Sequence, residues 1–166
     1  MVLLIMSKCE ICGNRIGIFT PDFICCKCHK IICSDCLFGD INPQYISDLR
    51  LLGKLGEYDV DALSARDNPG DIPCFCESCC NEIITKLSIL ISCTGESVSI
   101  YGSESENAPD TYVKYVDYKT EKYTQDDQAV NEIRRVAEFL GSNTIIKAQL
   151  LLEQDNSVFS VGRIIF

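Results

Sequence analysis

The chain has 166 residues, of which 46% are hydrophobic, a composition that suits one ordinary folded domain or two small ones and excludes a disordered polypeptide. Its formal charge of −9 divides evenly, with 8 basic and 12 acidic residues through Ile91 and 7 and 12 beyond. That acidity argues against a grip on nucleic-acid phosphates or on an anionic membrane surface, both of which need clustered Lys and Arg.

Twelve cysteines are present, and eleven of them lie between Cys9 and Cys80, with only Cys93 beyond. The opening Met1–Lys8 has no basic leader region and too short an apolar run for a secretory signal, so a cytoplasmic location is expected. The most apolar later stretch, Ile83–Ile91, is interrupted by Thr85, Lys86 and Ser88 and falls short of the roughly 20 residues a membrane span requires. In a reducing compartment, Cys-x-x-Cys pairs read as metal thiolates rather than as disulfides.

In chain order, the cysteine string runs Cys9-Glu-Ile-Cys12, then Cys25-Cys26-Lys-Cys28-His29-Lys-Ile-Ile-Cys33-Ser-Asp-Cys36, then Cys74-Phe-Cys76-Glu-Ser-Cys79-Cys80. It contains four Cys-x-x-Cys pairs: 9/12, 25/28, 33/36 and 76/79. Two intervening residues let a tight turn bring both sulfurs to about 2.3 Å from one ion, and a tetrahedral Zn²⁺ needs two such turns. Eight ligands therefore imply two Zn²⁺ ions, whose binding should supply on the order of 10 kcal/mol of folding energy each. Between the third and fourth pairs lies a cysteine-free insertion, 42–73, in which Pro43 opens a short helix over 44–52. Tyr45, Ile46, Leu49 and Leu52 share one face of it, and Gly53 and Gly56 break it. Asp59–Arg66 predicts a further helical turn before the loop signal Asp67-Asn68-Pro69-Gly70. A closing helix is expected over 77–91.

The pair order, with Phe75-Cys76-Glu-Ser-Cys79-Cys80 at its end, resembles the FYVE zinc finger, a treble-clef, cross-brace fold. The resemblance covers about residues 9–84 and implies interleaving: Cys9, Cys12, Cys33 and Cys36 around one ion, Cys25, Cys28, Cys76 and Cys79 around the other. The lipid-reading residues of that family are missing. Around the third cysteine stands Asp22-Phe-Ile-Cys25-Cys26-Lys27, no tryptophan exists, and Pro73-Cys74-Phe75-Cys76 replaces the Arg-Val-Cys element. Only Lys27 could bear on a phosphate, so phosphoinositide binding is not expected. A second order, Cys26-x-x-His29-x-x-x-Cys33-x-x-Cys36, is similar to RING domains and would imply a ubiquitin-ligase component. The intact 25/28 pair and the 39 residues between Cys36 and Cys76 favour the first pattern. Cys26, Cys74, Cys80 and Cys93 remain over as small buried residues or alternate ligands. Cysteine catalysis is not expected, because His29, the sole histidine, sits within the zinc cluster and no other base is in view.

Beyond residue 91, Ser88–Tyr101 predicts one or two strands, 102–109 a polar loop, and Thr111–Tyr123 an exposed strand. Thr124 is placed to cap a helix with Asp126 and Asp127 in its first turn, Ala129, Val130, Ile133, Val136, Ala137 and Leu140 at helical spacing, and Gly141 as its stop. Strands over 144–153 and 158–166 flank a turn at Asp155-Asn156. The helix followed by Leu140-Gly141-Ser and a closing strand ending in Gly162-Arg-Ile-Ile-Phe, within residues 92–166, is similar to the small bacterial YbjQ-like domains, which implies an antiparallel sheet with one main helix and assembly into homo-oligomeric rings. The sequence thus reads as α+β: a two-zinc, FYVE-like module with a helical insertion over 1–91 and a small α/β domain over 92–166. Its expected role is that of a non-catalytic, zinc-stabilised module acting through a protein partner.

Overall fold

The computed structural model describes residues 7–17, 21–38, 42–60, 73–102, 105, 107–109 and 114–166, and the chain divides into two compact units, 1–88 and 89–166. It mixes helix and sheet, as an α+β chain does. The boundary falls inside the helix Glu77–Ser92.

In the first unit, β1 (Phe23–Ile24) and β2 (Ile31–Ile32) form an antiparallel hairpin, and a 3-10 turn over Ser34–Cys36 leads into β3 (Leu37–Phe38). The insertion supplies a 3-10 turn, Pro43–Tyr45, and α1 (Ile46–Lys54), after which β4 (Phe75–Cys76) pairs antiparallel with β3 and runs straight into α2 (Glu77–Ser92). The expected helical turn from Asp59 and the loop at 67–70 fall largely outside the described residues.

Gly53 does not end α1 as its composition suggests; the helix continues through it and stops before Gly56. Close packing is what requires glycine at this position. A Cβ at Gly53 would stand 2.6 Å from Val60 and 2.8 Å from the Tyr58 ring. Tyr58 is itself buried, donates its hydroxyl to the Leu49 carbonyl at 2.9 Å, and meets Phe75 edge to face with ring centroids 5.3 Å apart. The insertion is thereby fastened to β4, the strand that carries Cys76.

Along α2, Cys79, Cys80, Ile83, Leu87 and Leu90 are buried at helical spacing. This stripe explains why Ser88–Ser92 extends the helix instead of starting a strand. The β-branched residues there are overruled by a periodicity that begins at the cysteines, and the hydroxyls of Thr85, Ser88 and Ser92 bond back to carbonyls of their own helix.

The second unit is a four-stranded sheet in the order β5 (Ser99–Gly102), β7 (Thr144–Leu152), β8 (Val158–Ile165), β6 (Tyr115–Lys119), with α3 (Asp126–Phe139) packed on it. It is mixed rather than antiparallel, because β5 runs parallel to β7. A parallel neighbour cannot be reached by a hairpin, and here the return path is supplied by β6 and α3. The expected turn is present: Asn156 has φ +61°, and Ser157 donates its N–H to Asp155 Oδ1 at 3.0 Å. Gln125, extended and without a side-chain bond, takes the cap position of α3 expected for Thr124, since Tyr123 just before is bonded in both directions to Val158. Gly141 does end the helix, in a Schellman arrangement where its N–H meets the Glu138 carbonyl and that of Ser142 the Ala137 carbonyl.

One polar cluster lies within this unit's core. The buried Glu132 of α3 accepts hydrogen bonds from Tyr118 (2.7 Å), Tyr123 (2.5 Å) and the Glu121 N–H (3.2 Å). Burial and then this carboxylate push both phenols above the ordinary tyrosine range. Among the described residues, no helix is long and apolar enough to cross a membrane.

Two substitutions probe these contacts by urea denaturation. Gly53→Ala should overpack against Tyr58 and Val60 and cost about 1–3 kcal/mol. Glu132→Ala strands two phenols and one N–H and should cost about 3 kcal/mol; a loss below about 0.5 kcal/mol for either would mean that the contact contributes little.

Candidate metal centre

The first two cysteine pairs sit on near-identical turns. Cys9 donates its N–H to the Asn14 carbonyl and accepts, through its own carbonyl, the N–H of Gly13; Cys25 does the same with Lys30 and His29. Gly13 has φ +79° and His29 has φ +60°, so His29 holds the turn position that glycine fills in the first copy. Its ring belongs to neither sulfur group and pairs instead with Asp59, Nε2 lying 3.2 Å from Oδ2, and the side chain is 59% exposed.

The second halves of the two sites are built differently. Cys33 and Cys36 lie at the two ends of a 3-10 turn closed by the Cys36 N–H on the Cys33 carbonyl, whereas Cys76 ends β4 and Cys79 lies within the first turn of α2. The strands impose the interleaving. The β1–β2 hairpin carries the 25/28 turn at its tip and delivers Cys33 at its base; β3, leaving Cys36, pairs Leu37 with Cys76. Glu10 binds β2 twice, through its N–H to the Ile31 carbonyl (2.8 Å) and its carboxylate to the Ile31 N–H (2.6 Å), which seats the first turn beside Cys33.

Two groups of four sulfurs result: Cys9, Cys12, Cys33 and Cys36, and Cys25, Cys28, Cys76 and Cys79, with all Sγ atoms of a group within 4.8 Å of one another. The Sγ separations of 3.8 Å for Cys12–Cys33 and 3.9 Å for Cys25–Cys76 and Cys28–Cys76 match the edge of about 3.8 Å of a tetrahedron with 2.3 Å metal–sulfur bonds. None of the twelve cysteines forms a disulfide. Each group could therefore hold one metal ion, and an all-sulfur tetrahedral donor set suits Zn²⁺.

Electrostatics favour the same occupant. Burial opposes ionisation of Cys9 and Cys25, yet backbone N–H donors outweigh it: those of Cys12, Cys33 and Ile11 lower Cys9 to about 6, and those of Cys28, Cys76 and Lys27 lower Cys25 to about 7. The N–H of Cys33 reaches Cys9 Sγ at 3.5 Å, and that of Cys76 reaches Cys25 Sγ at 3.5 Å, the same bond in both sites. The last thiol of each group shows the opposite behaviour. Desolvation and the neighbouring sulfurs push Cys36 up to about 12 and Cys79 well above the ordinary thiol range. Four sulfurs at this spacing resist a fourth negative charge unless a cation sits among them.

Cys26, Cys74, Cys80 and Cys93 are all buried, and burial raises each of their thiols, Cys26 to about 11. Neither Cys26 nor His29, the ligands a RING order requires, belongs to either sulfur group. Cys26 serves through its backbone, donating to the Cys74 carbonyl (2.8 Å) and accepting from the Asp59 N–H (2.7 Å), so that it ties the second turn to the insertion. Lys27 is paired with Glu82 of α2 at 2.8 Å and donates to the Glu57 carbonyl at 3.3 Å. The backbone donors at Ile11, Lys27, Cys33 and Cys76 were not legible from ligand spacing; the recurrence of a turn residue four positions after Cys9 and Cys25 is the signal that points to the shared turn.

No family model, no curated protein and no solved structure matches the chain.

Replacing one ligand should empty one site. Cys76→Ser is expected to reduce bound metal by about one equivalent, while Cys26→Ala and His29→Gly leave it unchanged, as read by mass spectrometry under non-denaturing conditions. Metal loss from His29→Gly equal to that from Cys76→Ser would place the histidine among the ligands.

Proposed function

We propose that the chain is a zinc-stabilised, non-catalytic protein-interaction module whose first unit is a FYVE-like treble clef holding two Zn²⁺ ions. The observation that carries this reading is the convergence of eight cysteines into two interleaved groups of four with tetrahedral sulfur spacing. The knuckle, hairpin and helix order around the second group, with Cys79 in the first turn of α2, supports the treble-clef assignment. All four positions of each ion are filled by sulfur, which leaves no open position for water or substrate, and this is the arrangement of a structural rather than a catalytic zinc.

Two ions on eight thiolates leave each site with a charge of about −2, which adds to an acidic chain and makes the surface unsuited to phosphoinositide headgroups. The engagement of Lys27 by Glu82 points the same way. Thiolate ligands need a reducing compartment, and the cytoplasm fits that need.

Metal stoichiometry decides the matter. Full-length protein purified under reducing conditions should carry about two Zn²⁺ per chain, and chelation should abolish the folded signal of the first unit at a cost on the order of 10 kcal/mol per ion. Protein that is folded with no metal and with its thiols oxidised to disulfides would overturn the reading.

A further inference from the structure

The second unit carries a feature that the zinc centre does not use. At Lys147–Ala148 the β7 strand bulges: two residues stand opposite Gly162, between the pairs Ile146–Arg163 and Gln149–Val161. Lys147 there adopts φ +53°, a left-handed conformation that costs a non-glycine residue energy and is retained where something over-determines it. A Cβ on Gly162 would point at Ile133 of α3 and Ile145, so its neighbours Val161 and Arg163, by strand alternation, belong to the sheet face turned away from the helix. On that face lies a depression of 310 Å³ whose charged lining is Lys119, Lys147, Arg163 and Asp117.

Three cations thus meet one carboxylate, although the chain beyond Ile91 has 7 basic residues against 12 acidic ones. The cationic heads are held in place. Arg163 binds Asp117 through Nε at 2.7 Å and a terminal nitrogen at 3.1 Å and stacks over Tyr115 at 3.9 Å, while Lys119 Nζ sits 3.9 Å above the Phe159 ring. Arg163 first, and Lys147 with it, hold the Asp117 carboxyl below the usual carboxylate range.

We infer that this depression, with the strained Lys147 at its rim, is a docking site for the carboxylates of an acidic peptide segment of a partner protein. The charge surplus is local and small, suited to one or two carboxylates; an extended nucleic acid would meet the acidic remainder of the unit. The inference deepens the interaction reading by naming one contact surface, and it is independent of the metal.

The test is fluorescence polarisation with zinc-loaded full-length protein and three labelled probes: hexaglutamate, hexaglutamine and a hexathymidylate oligonucleotide. Hexaglutamate should bind, hexaglutamine should not, and the oligonucleotide should bind more weakly than hexaglutamate. Lys147→Gly relieves the backbone while removing the charge, so it should keep or raise the thermal midpoint and weaken hexaglutamate binding at least about tenfold. A purely structural role for Lys147 would leave binding unchanged. No binding of hexaglutamate, equal binding of hexaglutamine, tighter binding of the oligonucleotide, or wild-type affinity in Lys147→Gly would each overturn the inference. Metal content, measured on the same samples, separates its failure from failure of the zinc reading.

Discussion

Mutual repulsion among sulfurs brought within 4.8 Å of one another is the constraint around which the first unit is organised. Its strands are two residues long, too short to persist by their own hydrogen bonds, and its core mixes cysteines with aliphatic residues and the aromatic Phe23, Tyr58 and Phe75. A cation bound in each group would turn that repulsion into a source of folding energy. The elements around it then have plain tasks. The β1–β2 hairpin spaces one site from the other, the β3–β4 pair carries the chain across the insertion, and α2 fixes Cys79 while extending the buried stripe to Leu90.

Backbone N–H donors shape these sites alongside the thiols. Matched N–H donors at Cys33 and Cys76 make Cys9 and Cys25 the easiest thiols to ionise, whereas Cys36 and Cys79 are the hardest. Each site is therefore graded from a ready thiolate to one that needs a neighbouring positive charge. The four cysteines outside the groups are buried, and burial holds each of their thiols above the ordinary range.

The second unit reverses this balance. It depends on a helix and a sheet that bury Ile133, Val136, Ile145 and Ile164, with one carboxylate, Glu132, satisfying the polar groups that β6 and the following turn bring inside. Its regular packing makes the bulge at Lys147 conspicuous. A strained, charged residue in a central strand contributes nothing to that core, and the place where local rules are broken is where a contact with something else is expected.

The amino-acid sequence by itself determined the four Cys-x-x-Cys pairs, the closing helix after Cys76, α3 with its stop at Gly141 and the β7–β8 hairpin, because each depends on spacing or turn chemistry within a few residues. Tertiary structure decided the rest. Tyr58 and Val60 pack against Gly53 so closely that no side chain fits there; Ser88–Ser92 stays helical because a stripe begun at Cys79 continues to Leu90; and β5 lies parallel to β7 because a crossover through β6 and α3 returns the chain. The choice between Cys25 and Cys26, and the exclusion of His29 from either sulfur group, were likewise settled in three dimensions. Spacing within a turn does not say which of two neighbouring sulfurs meets a distant partner, and the folded hairpin places Cys25 against Cys76.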